Sequence, residues 1–516
     1  MPPPVSVAVP AITPALHRAA RALVCLLLLV GGPAGAAEPA PVLSAGTLLP
    51  RHALLDDVDL LQQAYAALHP GLHRYNTPAQ MDAHFDRLRG EFDRDRTLGD
   101  AYLAFSRLAA AVKCGHTYAN FYNQSTAVQR ALFEADDRVP FHFDWLGERM
   151  VVTRAFADEP ALRPGTEVLS IDGRPVRELL AALMPLARAD GGNDAKRRAL
   201  LAVRGDDRYE TFDVFLSRLL PAAGPTRRYR LRAPGSASEL ERDLPSLTYA
   251  QRLAAREQAE VGPDAPQWTL DTSDPTLAVL RMPGWALYDS KWDWKGFLRQ
   301  AFDTLDASRT PALVIDLRGN EGGLAVGDVL LAHLLASPRA FPAYRRLVRY
   351  RSVPAALRPY LDTWDPSFRD WGEDAQPAGD GYFLIGRWNS AEALRIEPEA
   401  PRFEGRVFVL VGATNSSATF EFAKQAQESG VATLVGQATG GNRRGINGGA
   451  FFFLRLPRTG LEMDVPLVGQ FPLAPQPDAG VVPDIEVTAR IEDIAAGRDV
   501  EMAAVRAALA QATVAR

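Results

Sequence analysis

The sequence is poor in lysine and in cysteine. It has 516 residues, and only five of its 57 basic residues are lysines: Lys113, Lys196, Lys291, Lys295 and Lys424. Of the two cysteines, Cys25 lies in an apolar run near the N-terminus and Cys114 lies outside it. If the apolar run is removed as a targeting segment, the one remaining cysteine cannot form an internal disulfide. We therefore expect stability to come from the hydrophobic core.

The sequence lacks the features of several functional classes. The net charge is −5 and no dense basic run occurs, which argues against nucleic acid or an anionic membrane as partner. No H-E-x-x-H, Cys/His cluster or P-loop lysine motif is found, so we expect no metal and no other cofactor. With 47% hydrophobic residues, the chain is long enough for two or three domains.

The N-terminus has the features of a targeting segment. Arg18 and Arg21 precede the apolar run 22–30, and the small residues 34–37 follow. A charged region, a short apolar core and an A-x-A site predict a secretory signal peptide over residues 1–37. The run is too short for an ordinary membrane-spanning helix. We therefore expect a periplasmic or secreted protein with no integral membrane span after signal removal.

The first two predicted domains differ in periodicity. Residues 45–135 show helical spacing, with helices expected before Pro70, over 78–92 and over 98–112. Residues 137–250 contain short apolar strands, and Asp172 and Gly173 predict a tight turn between two of them. The stretch 162–176 resembles a PDZ domain, a module that binds extended peptides at a sheet edge. An ordinary hairpin in another β domain is the alternative.

Strands alternate with helices over residues 265–490, which we predict to form the core of the largest domain. This alternation indicates an α/β fold with largely parallel strands, within a multi-domain chain. Inside it, residues 341–399 lack clean periodicity and are expected to form an extended loop covering the site. Residues 491–516 are predicted to form a C-terminal helix.

Two junctions between a buried strand and a helix stand out. The first is DLRGNEGG, residues 316–323, in which glycines let backbone N–H groups approach a ligand. The second follows the strand 407–412 and contains Ser416, Ser417 and Ala418. A serine there can expose its hydroxyl above the strand ends, although serine is also a favoured helix-capping residue.

Together the two junctions resemble the motifs of the carboxy-terminal processing and tricorn-type serine peptidases. DLRGNEGG is similar to their DLRxNxGG signature, and residues 409–441 are similar to their nucleophile segment. GVVPDIEV, residues 480–487, is similar to their C-terminal GVxPDIxV. The resemblance covers about residues 276–487 and implies a crotonase-like core and peptidase activity on peptides or unfolded proteins.

The resemblance implies roles for individual residues. The family nucleophile falls on Ser417, with Ser416 as the fallback. The resemblance also implies an oxyanion hole formed by the backbone N–H groups of Gly322 and Ala418. Removing one such donor typically lowers the rate on the order of 10²–10³-fold.

The residue at the position of the general base differs from that of the processing peptidases. They carry a lysine in TxGKG, where this sequence has Asn442, so a Ser–Lys dyad at that place is excluded. The tricorn-type branch uses a histidine within DGHT, which His116 matches in the run Gly115 to Thr117. A histidine pKa near 6.5 suits a base at neutral pH. His69 and His73 are expected to be structural, although His73 could face the cleft.

A third residue should orient His116 and stabilise its charged form. The tricorn-type branch places an acid shortly before GVxPD, and Asp478 is nearest to that place, with Asp484 and Glu421 as alternatives. The sequence leaves two other functional classes open. One is a non-catalytic peptide- or ligand-binding homologue, and the other is an acyl-CoA enzyme using the glycine loop as an oxyanion hole. The PDZ-like stretch and the Ser/His pair argue against the second.

Overall fold

Helices make up most of the first part of the chain in the computed structural model, which describes residues 43–256, 264–341, 344–391 and 394–514. The predicted signal peptide, residues 1–37, lies outside the described residues. This part contains β1 (Leu48–Leu49), α1 (Arg51–Leu68), α2 (Pro78–Glu91), β2 (Arg96–Thr97), α3 (Leu98–Ala111) and α4 (Thr126–Phe133). No helix of the described ranges is long and apolar enough to cross a membrane.

Local sequence explains where these helices begin and end. Thr77 and Gln80 form a reciprocal capping box at the start of α2, and Pro78 occupies its first turn. The helix α3 is buried along most of its length. It ends just before Lys113, whose φ of 60° reverses the chain direction. This reversal carries the chain into the Gly115–His116–Thr117 run.

The next part is a β region with helical connections. Its elements are β3 (Phe141–Leu146), β4 (Arg149–Ala155), β5 (Glu167–Ile171), β6 (Arg174–Pro175), α5 (Val176–Leu183), α6 (Asp194–Leu200), α7 (Thr211–Leu219), β7 (Thr226–Arg232), β8 (Glu239–Pro245) and α8 (Tyr249–Ala254). The sheet order is β3-β4-β5-β7-β8. Asp172 and Gly173 have φ values of 48° and 79°, as a tight hairpin turn between β5 and β6 requires.

The last part alternates strands and helices. Its strands are β9 (Thr269–Asp271), β10 (Ala278–Arg281), β11 (Ala312–Asp316), β12 (Arg339–Ala340), β13 (Tyr344–Val348), β14 (Leu361–Asp362), β15 (Ala375–Gly379), β16 (Tyr382–Ile385), β17 (Arg395–Ile396), β18 (Arg406–Val411), β19 (Thr433–Gly436), β20 (Asn447–Arg455), β21 (Glu462–Pro472) and β22 (Ile485–Glu486). Its helices are α9 (Trp294–Ser308), α10 (Val326–Leu334), α11 (Gly386–Asn389), α12 (Ser417–Ser429), α13 (Ile491–Ala495) and α14 (Val500–Val514).

A mostly parallel sheet forms the centre of this part, and it confirms the α/β class. Its order is β22-β19-β18-β11-β10-β9, in which only the β9–β10 pair is antiparallel among the described strands. Apolar side chains of α9, α10 and α12 pack on one face. Apolar side chains of α14 pack on the other face. The strands β11 and β18 are adjacent, so the two unusual loops leave the sheet side by side.

The segment 341–399 is not the extended loop that its sequence predicts. It contributes β13, β14, β15 and β16 to a second sheet of order β14-β20-β21-β13-β16-β15. Apolar residues of this sheet share one core with the helical part and the β region. Residues from Leu43 onward form one compact unit. The domain boundaries given above stay predictions.

Candidate active site

The turn between β18 and α12 presents Ser417 in an unusual backbone conformation. Ser417 has a φ of 51°, a left-handed value that is uncommon for a residue with a side chain. Ser417 is partly exposed, and its hydroxyl has no hydrogen-bond partner among the described residues. Ser416, which precedes the helix, makes no side-chain capping bond. A strained serine at a strand-to-helix turn is the geometry that exposes a nucleophile.

The neighbouring Ser416 is engaged differently. Its side chain is 6% exposed. The Ser416 hydroxyl accepts a hydrogen bond from Lys196 Nζ at 3.2 Å and donates to the backbone carbonyl of Glu321 at 3.2 Å. Both functions of the hydroxyl are therefore satisfied within the protein, whereas that of Ser417 is not. This contrast supports Ser417 over Ser416 as the reacting group.

The glycine loop lies against this turn. Gly322 has a φ of 102°, and a Cβ on it would lie 2.9 Å from the backbone N of Ala418 and 2.9 Å from Ser417 Cβ. Only glycine fits such a close approach. The structure thus brings Gly322, Ser417 and Ala418 together. The N–H of Gly322 donates to Asn320 Oδ1 at 2.9 Å.

The segment with His116 is fixed from both sides. The Gly115 N–H donates to Asp190 Oδ1 at 2.9 Å, and Arg188 Nη1 donates to the Gly115 carbonyl at 3.0 Å. Behind it, the buried His69 lies 2.8 Å from the Thr117 hydroxyl through Nε2. His69 Nδ1 accepts from the Gly71 N–H, so Nε2 carries the proton and donates. These contacts agree with the structural role expected of His69.

Burial and charge set the protonation state of His116. The pKa of His116 is lowered to about 4, and burial is the largest cause. The charges of Arg188 and Lys196 also lower this pKa, whereas the charge of Glu321 raises it. Nδ1 of His116 is buried and has no hydrogen-bond partner among the described residues. Its ring centroid lies 5.9 Å from that of Phe451. The imidazole is therefore neutral at pH 7 and able to accept a proton.

The three acids considered from the sequence have partners other than His116. Asp478 accepts from Asn442 Nδ2 at 2.7 Å and from the Gly192 N–H at 3.0 Å. The remaining two candidates are similarly occupied: Asp484 accepts from the Leu434 N–H at 2.7 Å, and Glu421 lies 3.6 Å from Lys424. The structure therefore places Asp478 beside Asn442, the position of the missing lysine.

Sequence reasoning missed a cluster of charged residues at the site. Glu321 Oε2 lies 2.9 Å from Lys196 Nζ and 3.1 Å from Arg188 Nη2. Burial opposes ionisation of Glu321, but the Lys196 and Arg188 charges outweigh it and lower its pKa to about 2. Glu321 belongs to the glycine loop, yet no motif links it to Lys196 or Arg188. No group of side chains that could hold a metal occurs among the described residues.

One comparison with known proteins matches part of the chain to a family model. Residues 276–453 match the model of peptidase family S41. Mature CPAF in complex with lactacystin is a similar solved structure, with 14% identity, a TM-score of 0.57, and coverage of 86% of this chain and 95% of its own. The photosystem II D1 C-terminal processing protease has 15% identity, a TM-score of 0.39, and coverage of 87% and 98%. Among curated proteins, none matches by sequence.

The likeness to CPAF shows the fold alone, and the match to the family model carries the assignment. The matched residues 276–453 contain both the glycine loop and the serine turn, whereas His116 and Asp478 lie outside them. Two of the three motifs that resemble the carboxy-terminal processing and tricorn-type peptidases lie within the matched residues, and GVVPDIEV, residues 480–487, lies outside them. Residues 276–453 therefore resemble peptidase family S41, and this match supports a serine-type peptidase.

Proposed function

We propose that this chain is an exported serine endopeptidase that cleaves peptide bonds through an acyl-enzyme on Ser417, with His116 as general base. The observation that carries the proposal is the left-handed Ser417 against Gly322 and the Ala418 N–H. A histidine base in place of a lysine fits the tricorn-type branch. His116 supports this role because its neutral form dominates at pH 7.

The reaction proceeds in two halves. His116 takes the Ser417 proton as Oγ attacks the peptide carbonyl, and the Ala418 and Gly322 N–H groups stabilise the oxyanion. The imidazolium then protonates the leaving amine, which departs as the C–N bond breaks. Water, deprotonated by His116, then attacks the ester, and the imidazolium gives this proton to Ser417 Oγ as the ester C–O bond breaks. To stabilise the oxyanion, the Gly322 N–H shares its proton between Asn320 Oδ1 and the substrate oxygen.

Two carboxylates are candidates for stabilising the imidazolium of His116. Asp478, which the family resemblance favours, is bonded to Asn442 and Gly192. Glu321 is the acid whose charge raises the His116 pKa. The electrostatics therefore favour Glu321, with Asp478 supporting the loop that carries Asn442. Glu321→Gln would then lower kcat more than Asp478→Asn does, and the reverse order would restore Asp478 to the role.

A fluorophosphonate probe tests the nucleophile directly. It should label the wild type and Ser416→Ala, the latter more slowly, and should leave Ser417→Ala unlabelled. The two variants are matched because each removes one hydroxyl from adjacent positions. Labelling that persists in Ser417→Ala and disappears in Ser416→Ala would assign the reaction to Ser416. Absence of labelling in every form would contradict the enzyme mechanism.

A non-catalytic peptide-binding protein is the second candidate. It is favoured by two observations: the Gly322 N–H is already bonded to Asn320, and His116 Nδ1 has no partner among the described residues. Such a protein would bind an unfolded polypeptide with equal affinity in the wild type and in Ser417→Ala, without cleaving it. Cleavage by the wild type, measured by mass spectrometry on the same polypeptide, excludes this alternative.

Export and substrate class complete the proposal. The charged and apolar N-terminal residues support a periplasmic or secreted location, and the PDZ-like stretch supports peptides or unfolded proteins as substrates. Expression of the full chain should yield a mature N-terminus near Glu38, read by N-terminal sequencing. A mature protein that retains Arg18 and Arg21 would contradict signal cleavage.

A further inference from the structure

Lys196 reaches the candidate site from a distant part of the chain. It lies in α6, between strands of the β region, and its side chain is 1% exposed. Its aliphatic part passes over the loop that replaces TxGKG, because a Cβ on Gly440 would lie 2.8 Å from Lys196 Cδ. A lysine from another element thus enters beside the loop in which Asn442 occupies the lysine position.

The ammonium group of Lys196 has a full set of acceptors. Nζ lies 2.9 Å from Glu321 Oε2, 2.9 Å from the Thr414 carbonyl and 3.2 Å from Ser416 Oγ. A lysine ammonium has three N–H donors, and each has one acceptor here. Burial lowers the Lys196 pKa, while the Glu321 carboxylate opposes this effect and favours the ammonium form. In that form all three N–H groups have acceptors, so these contacts are those of a positioning group and not of a general base.

These contacts join the two loops of the site. Thr414 and Ser416 belong to the serine turn, and Glu321 belongs to the glycine loop. The Ser416 hydroxyl, held by Lys196, donates to the Glu321 carbonyl at 3.2 Å. That carbonyl and the Gly322 N–H are in the same planar peptide unit. The position of Lys196 therefore bears on the direction in which the Gly322 N–H points.

We propose that Lys196 is a positioning residue, whose ammonium fixes the Glu321–Gly322 peptide against the serine turn through Glu321, Thr414 and Ser416. The inference rests on the proposed function, because it concerns the oxyanion site of the Ser417 reaction. It gives Lys196 an effect on kcat, although Lys196 lies outside all the family motifs in this sequence. A misplacement of about 1 Å at a reacting centre lowers the rate on the order of 10²-fold.

The test compares two buried lysines. Lys196→Met should lower kcat on the order of 10²-fold with KM nearly unchanged, measured on a fluorogenic peptide. Lys424→Met is the matched control. Lys424 is also buried and lies 3.6 Å from Glu421, and its Nζ lies 4.2 Å from the Tyr344 ring centroid. Among the described residues it makes no hydrogen bond to either loop. Lys424→Met should lose about as much stability as Lys196→Met but keep kcat within about threefold of the wild-type value.

A second readout separates positioning from a general loss of stability. The Lys196 charge lowers the His116 pKa, so Lys196→Met should move the acid limb of the kcat/KM profile to higher pH. Lys424→Met should leave that limb in place. The inference is overturned if Lys196→Met and Lys424→Met show the same kcat and the same acid limb.

Two further variants keep the test decisive. If Lys196→Met does not fold, Ser416→Ala should lower kcat with KM unchanged, and an unchanged kcat overturns the inference. If both fold, the double variant should cost less than the two single losses combined, because both act on one peptide unit. Full activity in Ser417→Ala would instead refute the proposed function, whereas an active Lys196→Met with an inactive Ser417→Ala refutes this inference alone.

Discussion

The side-chain amide of Asn415 donates to the backbone carbonyl of Leu317 at 2.6 Å, and so joins the end of the serine strand to the end of the glycine-loop strand. The same Nδ2 donates to the Asn320 carbonyl at 2.9 Å, and Oδ1 accepts from the Gly412 N–H at 2.6 Å. Asn415 is fully buried. The Asn415 side chain therefore helps to hold together the two loops that the proposed reaction requires.

Replacing Asn415 should damage both stability and catalysis. Asn415→Ala leaves buried backbone groups without partners, which costs about 1–3 kcal/mol, and it frees the loops to move apart. We expect a lower Tm together with a fall in kcat. The control is Asn389→Ala, since Asn389 also donates to two backbone carbonyls, those of Arg346 and Ile385, and belongs to neither loop. A loss of kcat equal in both variants would contradict the assignment.

Gly322 should not tolerate any side chain. Gly322→Ala places a Cβ 2.9 Å from the Ala418 backbone N at a φ of 102°, so the loop must move away from the oxyanion site. We expect kcat to fall on the order of 10²–10³-fold, measured on a fluorogenic peptide. Gly90→Ala, on α2 with open space around it, should keep kcat and gain up to about 1 kcal/mol of stability. Retained activity in Gly322→Ala would remove Gly322 from the site.

The pH dependence of activity should report His116. Burial first, then Arg188 and Lys196, lower its pKa to about 4, and the base must be neutral to act. The value of kcat/KM should therefore be nearly constant from pH 7 to about pH 5 and fall below about pH 4. Circular dichroism at each pH would show that the fold persists. An acid limb near pH 6.5 would contradict a buried His116 as the base.

Replacing Arg188 should move the acid limb of the kcat/KM profile. It donates to the Gly115 carbonyl and pairs with Glu321 at 3.1 Å, and its charge is the second cause that lowers the His116 pKa. Removing a positive neighbour favours the imidazolium, so Arg188→Gln should shift the acid limb to higher pH. Arg228→Gln, which removes an exposed pair with Asp243, should leave the profile unchanged. Identical profiles for the two variants would contradict the link.

The sequence predicts the fold best where its signals are local. The strand 312–317 and the helices around 78–92 and 98–112 stand out because apolar spacing and capping residues lie within one short segment. The segment 341–399 gave no such signal. Its strands are short, and several pair with partners far away in the sequence, such as β13 with β21. Pairing of this kind is decided by tertiary contacts and leaves little periodicity.

The same distinction explains what the sequence shows of the site. Ser417 and Gly322 lie in contiguous motifs and could be named from them. Lys196 and Arg188 carry no such motif, because their roles arise only when α6 and the chain after α5 fold onto the serine turn. Asp478 lies near the expected place in the chain, but its partner is Asn442, which spacing alone does not predict.

The scattering of the site along the chain has a consequence for timing. His116 and Ser417 are about 300 positions apart, and Asp478, which braces Asn442, comes later still. If Ser417 and His116 react as proposed, a nascent chain contains no assembled reaction centre. The order of the polypeptide then prevents self-digestion during synthesis, because hydrolysis can begin only after nearly the whole molecule has folded.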